Sequence, residues 1–172
     1  METVLRLHLP RGEVGSVRRV ITATVVLVAS AGHAQAPALD ARAAQAIVAG
    51  CAAQAAPKMQ SHAIVVVDTG GHVVLALRMD GNTSGIFDFA LAKAEAAASW
   101  GFSTAQMVEA AKGTPGFASA PHVVTVPGGV PVYSADGRIR IGAVGVSGEA
   151  PEDDAACAEA GVRAAGLRTS HS

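Results

Sequence analysis

The chain has 172 residues, half of them apolar, with six aromatic side chains and a formal net charge of −1. That length suits one domain with its own core and leaves little room for two. A near-neutral balance, with no stripe of Lys and Arg interleaved with aromatics, excludes a phosphate-backbone binder, so no nucleic-acid partner is expected.

The first 36 residues read apart from the rest. Arg18 and Arg19 precede an apolar run over residues 20–31, VITATVVLVASA, and GHAQA then supplies the small residues that a signal peptidase requires. A bilayer span needs about 20 apolar residues, and this run is shorter. Residues 1–36 are therefore expected to be a signal peptide, cut after Ala34 or Ala36, leaving 37–172 as a single domain in the periplasm or secreted. The surroundings of Arg18-Arg19 fit the Sec route better than the twin-arginine one. Loss of that segment leaves nine basic and twelve acidic side chains, a mildly acidic body with no stable membrane insertion.

Residues 39–56 are rich in Ala, and Ala43, Ile47, Cys51 and Ala55 recur every four residues, which predicts a helix that Pro57 ends. HAIVVVDTGGHVVLALRMD predicts two strands joined at Thr69-Gly70-Gly71, since β-branched residues flank glycines able to turn tightly. Val73, Leu75, Leu77 and Met79 share one face of the second strand. A helix is expected over 88–100, broken by Gly101. Ser103 stands three before Gln106, a capping box opening a short helix to about Lys112, closed by Gly113. Four prolines and four glycines in GTPGFASAPHVVTVPGGVPVY favour loop and edge strand. Asp136-Gly137 marks a second hairpin into RIRIGAVGVS, and residues 151–167 predict a last helix. Pro151 suits its first position, and Glu152, Asp153 and Asp154 complement the exposed amides of its first turn.

Those carboxylates argue against a phosphate loop, and glycines at 142, 145 and 148 do not make G-x-G-x-x-G. His62, His72, His122 and His171 lack the spacing of a structural zinc site, and Ser147 lies outside a nucleophile elbow. Asp68, Arg78 and Asp80 flank the first hairpin, where they would bind a polar ligand, although Asp68 also suits a turn cap. Lys93, alone among alanines, is either solvated or an anion-binding ammonium. Five of the six aromatics fall between 87 and 117, as core or as the apolar wall of a pocket or subunit interface. Cys51 and Cys157 would pair in an oxidising compartment or pack singly as small hydrophobes; the sequence fixes no distance between them.

The order of these motifs, VVVDTGGHVVLALRMDG, then LAKAEAAAS with FST, then VPGGVPVYSADGRIRIGAVGVSG with EDD, resembles the GlcG/HbpS-like haem-binding family. That family includes the C-terminal domain of PduO-type corrinoid adenosyltransferases, and the resemblance covers about residues 39–167. Asp68, Gly70, Gly71, Arg78, Met79 and Asp80 match its first block. Lys93, Ser103 and Thr104 match the second, and Gly128, Gly129, Pro131, Gly137, Gly142, Gly145, Ser147, Gly148 and Asp153 the third. Glu95 and Ala96 depart from its pattern, and the loop over 114–125 is short for it. The resemblance implies an α+β domain with an antiparallel sheet of about five strands and helices packed against it, a profilin/PAS-like two- or three-layer arrangement. It further implies a homo-oligomer whose cofactor is haem. His62 and His122 are the candidates for the haem iron, and Arg78, Lys93, Thr114 and Phe117 complete the candidate haem-binding set. The expected function is an exported haem-binding protein. Alternatives are an enzyme or accessory protein that degrades haem or acts on a small organic acid, and a ligand-free structural or sensor module.

Overall fold

A computed structural model describes residues 38–172; the expected signal peptide lies outside the described residues. Asp40 opens the first helix, α1 (Ala41–Ala55), its carboxylate accepting the Ala43 N–H at 2.7 Å. A single 3-10 turn, Ala56–Lys58, follows, with Pro57 inside it. The first hairpin forms as the sequence predicts, from β1 (Ala63–Asp68) and β2 (Val73–Arg78). Asp68 caps its turn by accepting the N–H groups of Gly70 and His72. These bonds, that of His72 first, hold the Asp68 carboxyl below its ordinary value.

Helix α2 (Ser84–Trp100) starts four residues before the expected Asp88. GNTSGIF reads as loop, but Ile86 and Phe87 pack against the sheet, and that burial extends the helix backward. Gly101 ends it at φ 76°, and the capping box of Ser103 and Gln106 opens α3 (Thr104–Gly113). The second hairpin joins β3 (Gly129–Tyr133) to β4 (Arg140–Ser147), and α4 (Pro151–Ala164) ends three residues before the expected limit.

The sheet is antiparallel throughout, in the order β2-β1-β4-β3. It has four strands rather than about five. Residues after α4 return to the outer edge of β3 but meet it only in one bridge, Tyr133 with Arg168, too little for a strand. Side chains alternate across β1: Ala63, Val65 and Val67 face α2, while Ile64 and Val66 face α1 and α4. The arrangement is three layers, helix on sheet on helix, within the expected α+β class. Small residues set its spacing: a Cβ on Gly145 would collide with the α2 backbone at Ala90 and Ala94, and one on Gly161 with Ile47 of α1. Cys51 and Cys157 are joined across α1 and α4, their Cα atoms 4.5 Å apart.

Candidate functional site

The first cluster of buried polar groups gathers on Asp154, in the first turn of α4. Helical periodicity explains its direction, because Asp154 shares a stripe with buried Cys157, Ala158 and Gly161. The sequence reading assigns it to the helix tip with Glu152 and Asp153; instead it turns inward and is 2% exposed. Its Oδ2 accepts from Lys93 Nζ at 2.9 Å, and its Oδ1 accepts the Glu149 N–H at 3.1 Å. Lys93 leaves the α2 layer past Gly128 and Gly129, where a Cβ on Gly128 would lie 2.8 Å from Nζ. The ammonium also donates to Val146 O at 3.0 Å and lies 4.8 Å from the centre of the Phe89 ring. Lys93 is thus neither solvated nor open to an outside anion; its anion is the chain's own Asp154.

His62, just before β1, completes this cluster, with Nδ1 3.1 Å from Asp154 Oδ1. A carboxylate only accepts, so Nδ1 carries a proton and donates, and in the neutral imidazole Nε2 keeps its lone pair. That nitrogen is buried and has no hydrogen-bond partner among the described residues. A carboxylate behind one imidazole nitrogen with the other bare is the arrangement that prepares a histidine to ligate a metal. The whole side chain is nevertheless sealed from solvent. Asp153, beside it, is held below its ordinary value by the Gln60 amide and then by Lys58, 3.0 Å away.

Beside His62 runs an open groove of about 520 Å³, lined by Met59, Gln60, Ser61, Leu77, Arg78 and Asp80 among others. Its wall touches the histidine cluster through Met79, whose sulfur accepts the His62 N–H at 3.4 Å.

The third place is the loop between α3 and β3. Trp100 meets Phe117 edge-to-face at 5.2 Å and Phe102 at 6.1 Å between ring centres. The indole N–H donates to Pro121 O at 3.1 Å, which ties the loop to the end of α2. His122 follows directly, exposed, with φ 57°, a left-handed conformation uncommon outside glycine. Thr114 is exposed on the same loop and its carbonyl accepts the Phe117 N–H. The six sequence-predicted residues therefore fall in three places: His62 with Lys93, Arg78 in the groove, and Thr114, Phe117 and His122 in the aromatic loop. Asp154 is the residue that sequence reasoning misplaced, and its place in the buried stripe of α4 was the signal that could have found it.

Residues 39–163 match a family model described as "Haem degrading protein HbpS-like". None of the curated proteins matches the chain. Among solved structures, the chain is similar to a PduOC:heme complex, with TM-score 0.71 and 24% identity over 78% of this chain and all of that one. A double mutant of Streptomyces reticuli HbpS superposes with TM-score 0.68 at 25% identity, over 82% of this chain and 96% of that one. Klebsiella pneumoniae protein ORFY does so with TM-score 0.64 at 28% identity, over 73% and 88%.

Proposed function

The chain belongs to the HbpS-like family, and on that premise we propose that it is an exported, oligomeric haem-binding protein. The observation that carries this reading is an exposed His122 on a loop whose preceding residue, Pro121, is bonded to Trp100, with the rings of Trp100, Phe102 and Phe117 packed together at the same loop. An iron ligand needs an accessible nitrogen lone pair, and a macrocycle needs flat apolar surface; the loop offers both. Haem would bring redox chemistry and ligand exchange at iron. His122 would hold the iron and Phe117 would offer ring surface, and the exposed Thr114 of the same loop would offer a hydroxyl. The PduOC:heme complex shares this fold.

Hemin titration tests the reading. Expected are a shifted Soret band and saturable quenching of Trp100, with His122→Ala weakening binding by about tenfold or more. Equal affinity in His122→Ala together with loss in His62→Ala would move the ligand to the buried histidine, whose bare Nε2 is the one observation favouring it. No Soret shift in the wild type refutes haem binding altogether. The family description favours degradation as a second activity. Bleaching of the Soret band with a reductant in air, with release of iron, would establish it.

Export has separate support in the Cys51–Cys157 bond, of a kind that persists in oxidising compartments. Mass analysis of the exported protein should give an N-terminus after Ala34 or Ala36. The oligomer is supported by Val73, half exposed on the edge strand β2, and sedimentation of the purified body checks it.

A further inference from the structure

We propose that the groove between the 3-10 turn after α1 and the end of β2 binds a free amino acid with an apolar side chain. This goes beyond haem binding and involves different residues from the aromatic loop. Two unpaired charges define the groove. Arg78 donates to the main-chain oxygen of Asn82, which fixes its guanidinium, yet it meets no carboxylate among the described residues. Asp80, two residues on, uses only its main-chain oxygen, which accepts the Ser61 hydroxyl at 2.6 Å; its carboxylate has no partner among the described residues. A cation and an anion so close on one groove, neither satisfied by the other, match the two ends of a zwitterion: carboxylate on Arg78, ammonium on Asp80.

The rest of the lining says what lies between. Leu77 and Met79 give it apolar surface. Met59 stands over it 94% exposed, in a left-handed conformation at φ 55°. The left-handed backbone is that of the cap of the 3-10 turn, whose N–H bonds to Ala56 O, and it holds this apolar side chain out in water at the groove, where a ligand's apolar part would cover it. Gln60 also lines the groove, its amide held by Asp153. The groove's volume of about 520 Å³ is of the size that holds small molecules.

Calorimetric titration of the haem-free protein tests this with L-leucine and three truncated probes: 4-methylpentanoate, which lacks the ammonium, isopentylamine, which lacks the carboxylate, and glycine, which lacks the side chain. L-leucine should bind saturably and each truncated probe about tenfold or more weaker. Asp80→Asn should weaken L-leucine while leaving 4-methylpentanoate unchanged, and Arg78→Gln should weaken L-leucine while leaving isopentylamine unchanged. Met59→Ser should cost L-leucine more affinity than glycine. All three substitutions are at exposed side chains, and thermal unfolding by circular dichroism verifies that the variants fold. No saturable heat with millimolar L-leucine, or equal binding of L-leucine, 4-methylpentanoate and isopentylamine, overturns the proposal. No haem enters the titration, so its failure leaves the haem reading standing, and failure of the hemin titration leaves this one standing.

Discussion

Asp154 shows how much one carboxylate can hold. It accepts from a buried lysine, a buried histidine and a main-chain N–H, and it joins the two helical layers through the end of the sheet. Asp154→Asn keeps its shape but leaves the Lys93 ammonium buried without a counter-charge, which should cost about 3–5 kcal/mol in urea unfolding. Pairing Asp154→Leu with Lys93→Met should recover most of that, since two apolar groups of similar volume remove both desolvation penalties. A double variant as unstable as Asp154→Asn would show that the bonds from His62 and the Glu149 N–H to Asp154 outweigh the ion pair. The sequence made Lys93 visible as a lone cation among alanines. It did not reveal Asp154, because three acids in a first helical turn look alike until the buried stripe of α4 is known.

At the scale of elements, close packing of small residues is the governing fact. Gly145 lets β4 lie against α2 where any side chain would meet main-chain atoms that cannot give way. Gly145→Ala should therefore destabilise by about 3 kcal/mol or more, with the loss appearing in the denaturant midpoint while the dependence on denaturant stays unchanged. A change within 0.5 kcal/mol would mean that α2 can shift. The hairpins, the capping box of α3 and the Pro151 start of α4 were legible because each depends on residues a few positions apart. The true start of α2 was not, since packing of Ile86 and Phe87 against the sheet decides it.

For the whole molecule, the disulfide closes a loop spanning 106 residues between α1 and α4. Such a cross-link restricts the unfolded chain by about 4–5 kcal/mol, so reduction should lower the melting temperature by on the order of 10 °C in scanning calorimetry. An unchanged transition in reductant would mean that the thiols are not joined in solution. The sequence by itself determined the α+β class, the two hairpins and the family to which residues 39–163 belong, because local pattern and motif order are properties of neighbours along the chain. Only the tertiary structure decided that four strands form, that Cys51 meets Cys157, that Lys93 is turned inward, and that the six candidate residues stand in three places. Each of these depends on which distant side chains fill the same few ångströms, and spacing along a chain does not encode that.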